Sequence, residues 1–484
     1  MTSEQIERQA KRRSLMIDSP MHKVIPKLAG PTIISFLIMT LYNLTDTFFV
    51  SKLGTSATGA VGVNFSLMSI IQTAGMALGV GASSYISRLL GAREGEKASR
   101  VVSTAFFLSM SIGLIITILG LTFIRPLVVF LGATESIVPY AMDYASYILY
   151  AAPFMSGVFV MNQSLRAEGS AIFSMVGTLS GAFINLILDP LLIFTLDMGV
   201  AGAALATCIA KIISFIILLY PYIRKSGLLQ IKFNLFTPER AILSEIAKMG
   251  LPTLLRTGLM TLSSIVMNNV SGSFGDSAIA AMSIVDRSMR FFGSVLMGFG
   301  QGFQPVAGYN WGAKRYDRVL KAFWFSSITG IIGISVICGI VSIFASQVMS
   351  IFTDVDLEII RIGTLSIRAQ CYIMPFYAFV IIANALFTAL GRAKSAALLS
   401  LSRQGICLIP SIYLLSAYFG VTGLAFAQAV SDILSFLLAL PIILYVLKEI
   451  KSLMKGMPII TGQTSSDYLA VNKELKPVAN GIDE

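Results

Sequence analysis

Twelve apolar runs, each long enough to cross a lipid bilayer, recur along this chain of 484 residues. They lie at about 25–50, 58–86, 100–124, 137–164, 171–196, 199–222, 246–271, 277–308, 319–346, 358–388, 395–416 and 420–447. A hydrocarbon layer ~30 Å thick is crossed by about 20 residues of helix. Lipid offers no partner to a loose backbone N–H or C=O, so each run must satisfy its own hydrogen bonds as a helix. A membrane β-barrel would instead alternate polar and apolar residues in segments of about 10, which these runs do not. Composition agrees, with 55% hydrophobic and 13% charged residues and a mean hydropathy of +0.79. The predicted fold is all-α and integral to a membrane.

The chain is also written twice. An offset of 221 residues places Lys27 on Lys248, Pro31 on Pro252, Gly79 and Gly81 on Gly300 and Gly302, and Gly91 on Gly312. An offset of 222 places Pro153 on Pro375, Asn162 on Asn384 and Gly169 on Gly391. Six spans in each copy return the chain to its starting side, so the copies share one orientation and are related by an axis along the membrane normal. The expected organisation is an N-terminal segment 1–24, a six-helix bundle 25–222, a linker 223–245, a second bundle 246–447 and a polar tail 448–484. Two parallel bundles leave a central cleft between them. Ala77, Gly79 and Gly81, with their counterparts Gly298, Gly300 and Gly302, are the small residues that allow helices to approach closely in lipid.

A net charge of +11 raises nucleic acid as a partner, but its placement argues against one. Arg8, Lys11, Arg12, Arg13 and Lys23 precede the first span; Arg88, Arg93 and Lys97 follow the second; Arg166 follows the fourth. Arg224, Lys225, Lys232 and Arg240 join the copies, and Lys314, Arg315, Arg318, Arg392 and Lys394 mark later alternate loops. Basic residues in every second loop follow the positive-inside rule, which places both termini in the cytoplasm. The first 24 residues are polar and basic, unlike a cleaved secretion signal. Cys208, Cys338, Cys371 and Cys407 stand singly in apolar spans and read as small buried hydrophobes. The one histidine, His22, lies in the polar N-terminal segment. No phosphate-binding Gly-Lys loop is present, so the energy for active transport must come from an ion gradient. Nor is there an acid cluster of the DDxxD kind that a membrane prenyl transferase needs, and the chain reads as a non-enzyme.

An ionised side chain at membrane depth costs at least about 2.5–3.5 kcal/mol at a helix centre and calls for a reason. Asp46 in the first span, Asp189 in the fifth and Thr207 in the sixth all fall about 6–12 Å below the outer surface at ~1.5 Å per residue. Tyr42 and Asp46 are four apart, as are Asn185 and Asp189, so each pair shares a helix face. Two carboxylates, an amide oxygen and a hydroxyl are hard ligands for a small cation such as Na⁺. Burial and mutual repulsion also equip the carboxylates to hold a proton. The second copy has Met267 in place of Asp46 and Pro410 or Ser411 in place of Asp189. Of the remaining intramembrane charges, Asp286 and Arg290 are spaced for a local pair. Lys211 and Asp432 occupy equivalent repeat positions with opposite sign, open to a bridge between bundles. Arg256, Lys211 and Arg403 are expected to reach toward the membrane interface.

Pro31, the Asp46 segment, Gly79-Val-Gly-Ala82, Arg88-Leu-Leu-Gly-Ala92, Gln301-Gly-Phe-Gln-Pro305 and Gly308-Tyr-Asn-Trp-Gly-Ala313 together resemble the multidrug and toxic compound extrusion (MATE) family, in its bacterial MepA-like branch. The resemblance implies a multidrug antiporter of the cytoplasmic membrane that exchanges amphipathic, often cationic drugs for H⁺ or Na⁺, with no other cofactor. It also implies a cation site in the first bundle, which falls here on Asp46, Asn185, Asp189 and Thr207, with Tyr42 one turn before the acid. The family's other type of site uses acids in helices 7 and 10, where this chain has Arg256 and Arg368. By helix and depth, Met39, Gln72, Met260, Met267 and Arg287 are expected to line the drug cleft. The chain is expected to work as a monomer in the lipid bilayer. The alternative is a flippase for a lipid-linked oligosaccharide or cell-wall precursor; such proteins often have fourteen spans rather than twelve.

Overall fold

Helix is the sole regular element among the described residues. The computed structural model describes residues 3–224, 227–352 and 356–456; the side chains of residues 3–9, 43, 44, 46–48, 51 and 55 lie outside that description. A short helix α1 (Ser3–Ile17) precedes the first half, which comprises α2 (Met21–Ser51), α3 (Thr55–Gly91), α4 (Gly95–Thr122), the short α5 (Ile124–Phe130), α6 (Val138–Ala167), α7 (Ala171–Pro190) and α8 (Gly199–Ile223). The second half comprises α9 (Arg240–Gly272), α10 (Asp276–Gly312), α11 (Tyr316–Ile343), the short α12 (Ala345–Ser350), α13 (Leu357–Leu390), α14 (Ala393–Leu401) and α15 (Leu408–Lys455).

Nine stretches among the described residues are long and apolar enough to cross a membrane, and the last of them runs from Ala393 to Lys455. Gly420, at φ 59° and ψ −142°, breaks that stretch into two. Helices α9 and α10 also have the length, at 33 and 37 residues, although Arg256, Asp286, Arg287 and Arg290 lower their apolar character. The molecule is therefore a twelve-helix, multi-pass membrane protein. Large apolar side chains cover its outside, among them Ile115, Ile332 and Leu437, each more than half exposed. Small and polar residues fill much of the interior instead.

The repeat is visible in the backbone. Residues with positive φ mark helix boundaries and breaks at matched places: Gly54 and Gly275, Arg93 and Lys314, Gly169 and Gly391, Gly199 and Gly420. At Gly391 the conformation (φ 78°) caps α13, with its N–H returning to Phe387 and Thr388 carbonyls; a residue without Cβ adopts it with least strain.

The halves meet through α2 on α10 and, reciprocally, α9 on α3. Small residues make this approach possible. A Cβ on Gly298 would stand 2.7 Å from Cα of Ile33, and one on Gly250 would stand 2.6 Å from the Ala77 carbonyl oxygen. Gly81 lies against Ile246, Gly302 against Ala29, Gly91 against Tyr309 and Gly312 against Arg88 with still less room. These contacts lie in the halves of the helices nearer α1, so the molecule is sealed at that end, here termed the basic face. Arg88 adds an ion pair to Glu245 at 3.0 Å, and Ser84 donates to the Thr388 carbonyl at 2.5 Å.

Helix α1 and the linker strap the same face. Glu168, almost fully buried, accepts from Arg12 at 2.9 Å, from the Ser170 hydroxyl at 2.7 Å and from the backbone amides of Leu228 and Leu229 at 2.7 and 3.2 Å. Asn310 and Arg318 of the second half reach the carbonyls of Met16 and Ser19. The linker is stitched along α4 by Ser99, Ser103 and Thr104, whose hydroxyls bond to Gln230, Lys232 and Thr237. The four cysteines are buried and free. Cys338 of α11 and Cys371 of α13 are packed in the same apolar cluster of the second half.

Candidate functional site

In the first half, one polar chain links three helices. Asn185 and Asp189 lie one turn apart on α7, and the Asn185 amide donates to Asp189 Oδ1 at 3.2 Å. The same amide nitrogen lies 3.3 Å from Thr207 Oγ1 on α8, and that hydroxyl lies 3.4 Å from the Tyr42 hydroxyl on α2. Asn185, Asp189 and Thr207 are all 1% exposed or less. Asn185 Oδ1 is buried without a hydrogen-bond donor, which leaves an acceptor oxygen inside apolar surroundings, where an uncompensated one is costly. Oxygen donors of this kind suit a small hard cation. Asp46 follows Tyr42 by one turn of α2, and its side chain lies outside the described residues. Pro190 ends α7 and is followed by a π turn, Leu191–Thr195. Such turns arise where the regular ladder is interrupted, and they often accompany functional sites.

This chain of groups borders a cavity of ≈ 270 Å³ lined by Met39, Tyr42, Gln72 and Met260 together with Lys211 and Arg166. Met260, Met267 and Arg287 line a second cavity of ≈ 470 Å³, and Met260 also lines a third, of ≈ 140 Å³, with Arg256 and Arg403. Since Met260 borders all three, they are parts of one cleft between the halves. Asp286 and Arg290 form the local pair expected from their spacing, at 2.7 Å.

Five charges sit elsewhere than the sequence indicated. Lys211 does not reach the membrane interface; its ammonium lies 5.3 Å from the centre of the Tyr42 ring, inside the first-half cavity. Arg403 is likewise drawn inward, because Asp432 meets it at 2.7 Å and the Tyr377 ring lies 3.6 Å beneath it. Asp432 is thus held within its own half, not by Lys211, and Gln428 completes its shell at 2.9 Å. Arg256 is half-buried beside Met297. Arg166, placed by its sequence in a basic loop, is 7% exposed. It closes the cavity floor, bonded to Ser174 at 3.0 Å and to Gln301 of the other half at 2.6 Å.

The Arg403–Asp432–Tyr377 group escaped the sequence reading for a local reason. A π turn at Ser402–Ile406 adds a residue to the helical turn and rotates Arg403 into the cleft, which regular 3.6-residue spacing does not foresee. Arg368 contributes nothing to the cleft; it is exposed and bonds to the Ser342 carbonyl.

Comparison with known proteins matches the fold. The family model MatE fits the chain twice, over residues 31–191 and 252–414, so it recognises both copies of the repeat. Multidrug export protein MepA of Staphylococcus aureus (strain MSSA476) is 29% identical over 436 residues, spanning 89% of this chain and 95% of that protein. The MepA protein of Staphylococcus haemolyticus (strain JCSC1435) is 29% identical over 429 residues, spanning 88% and 94%. Among solved structures, a MATE in complex with MaL6 superposes with a TM-score of 0.86 at 27% identity, covering 92% of this chain and 99% of that one. The outward-facing conformation of a multidrug resistance MATE family transporter of the MOP superfamily gives 0.85 at 28%, covering 91% and 98%. With its repeat, its twelve helices and both halves matched, the chain belongs to the MatE family and resembles the MepA branch of these transporters.

Proposed function

We propose that the protein exports amphipathic, often cationic drugs across the bacterial cytoplasmic membrane in exchange for H⁺ or Na⁺. In this reading the basic face is cytoplasmic, so both termini are too, and the cleft is open to the outside. A cation entering from outside occupies the site of Asp46, Asn185, Asp189, Thr207 and Tyr42. Its charge neutralises the acids and changes how α2 packs on α7 and α8. Met39, Gln72 and Met260 lie on the cavity wall beside that site, so repacking of α2 alters the drug surface and favours release. Opening at the basic face then admits the next drug. Drug and ion exchange because each has different affinities for the two states. The protein works as a monomer, and the transported ion is its only non-drug ligand.

The observation that carries this reading is the shared position of Tyr42: its hydroxyl reaches Thr207 in the polar chain while its ring lines the drug-sized cavity. Adaptable methionines along the wall, among them Met39, Met76 and Met260, account for a broad substrate range. Expression in a drug-sensitive bacterial strain tests it. Wild-type protein should raise drug tolerance. Asp46→Asn and Asp189→Asn should each abolish the gain, with the same amount of protein in the membrane. Protection by both variants equal to wild type would remove the ion site from the account.

A further inference from the structure

The wall of the second half is basic. Arg256 and Arg403 line the ≈ 140 Å³ cavity, and Arg287 and Arg290 line the adjoining one. Two of these four cations are matched by acids: Arg403 by Asp432 and Arg290 by Asp286. Arg287 is exposed and solvated. Arg256 differs from all three. Its Nε is buried with no acceptor, and its Nη1 has only the Met297 sulfur at 3.6 Å, a weak acceptor. Among the described residues no carboxylate pairs with it. A guanidinium nitrogen shut from water with no acceptor is costly, and the half-buried Arg256 lines the cleft.

We propose that Arg256 is the residue in the cleft that holds the carboxylate of a transported compound, and so sets how strongly the exporter prefers substrates carrying an anionic group. The inference rests on the export reading above. A guanidinium presents two parallel N–H donors that match both oxygens of a carboxylate. Gln301, Gln304 and Asn384 supply further polar groups around it, and Met76, Val80 and Met249 supply apolar wall. Met76 and Met260 also border the first-half cavity, whose wall carries Tyr42, Gln72 and the cations Lys211 and Arg166. A molecule whose carboxylate sits on Arg256 can therefore lay its apolar body along the methionines shared by the two cavities.

Rhodamine B carries a xanthylium cation and a free carboxylate; its ethyl ester keeps the cation and loses the anion. Binding of both dyes to the purified full-length protein in lipid nanodiscs, followed by fluorescence polarisation, tests the inference. In Arg256→Gln, rhodamine B should bind about tenfold more weakly, the size of one charge-assisted contact, while the ester stays within about twofold and so reports an intact fold. Arg256→Lys, which keeps the charge and loses the paired donors, should fall between. Equal losses for both dyes, or none for either, would overturn the inference and leave the export reading standing. Wild-type protein that binds neither dye would overturn both.

Discussion

At the residue scale, the buried pair of Arg403 and Asp432 is the most exposed to test. Asp432 is 3% exposed and takes two bonds from Arg403 and one from Gln428. Removing one partner of a buried pair leaves the other charged and unmatched, at a cost of about 3–5 kcal/mol. Arg403→Met should therefore lower the thermal midpoint of the detergent-solubilised protein markedly. Arg403→Met with Asp432→Leu, which removes both charges, should recover most of the loss. An Arg403→Met single variant as stable as wild type would mean that Asp432 is satisfied without its partner. The sequence made the chemistry of Asn185, Asp189, Thr207 and Tyr42 legible, because a helical period and a common depth suffice to bring them to one level. It did not make the partner of Asp432 legible, because a π turn changes which way Arg403 faces. Arg166 was hidden for another reason: a basic residue at the end of a span looks the same whether it meets water or plugs a cavity.

At the scale of elements, the helix crossings decide how the halves can move. Span positions and repeat are readable from hydropathy and offset, and α2 through α15 follow them. The crossings depend on which glycines face the other half, and periodicity alone does not settle that. Gly298 faces Ile33 so closely that a Cβ would stand 2.7 Å from its Cα. Gly298→Val should push α10 from α2, with an overpacking cost of about 1–3 kcal/mol to the sealed form. Spin labels placed at the basic ends of α2 and α10 should then report a longer distance or a second, longer population. Gly333, whose Cβ would meet open space, serves as the comparison, and Gly333→Val should leave the distance unchanged. Lengthening by both substitutions alike would argue against the glycine seal.

At the scale of the whole molecule, Glu168 gathers three parts that lie far apart in sequence: α1 through Arg12, the end of α6, and the linker through the amides of Leu228 and Leu229. Because α1 also carries the Met16 and Ser19 carbonyls to Asn310 and Arg318, this hub ties both halves at the basic face. Glu168→Ala should free the linker, and hydrogen exchange at residues 228–232 should speed up while the membrane helices stay protected. Unchanged exchange there would show that Ser99, Ser103 and Thr104 hold the linker alone.

The duplication supplies two similar halves, and the polar groups make them different: an acid-bearing site in one and arginines in the other. In the proposed cycle a cation at the first-half site drives drug out through the cleft between them. It is tested most directly by efflux of a fluorescent cationic drug from proteoliposomes with pH and Na⁺ gradients imposed independently. Wild-type protein should export the drug against its gradient when at least one cation gradient points inward, and stop when both are collapsed. Asp189→Asn should show no gradient-driven export under either condition. Export by wild-type protein with both gradients collapsed, or undiminished gradient-driven export by Asp189→Asn, would contradict the account.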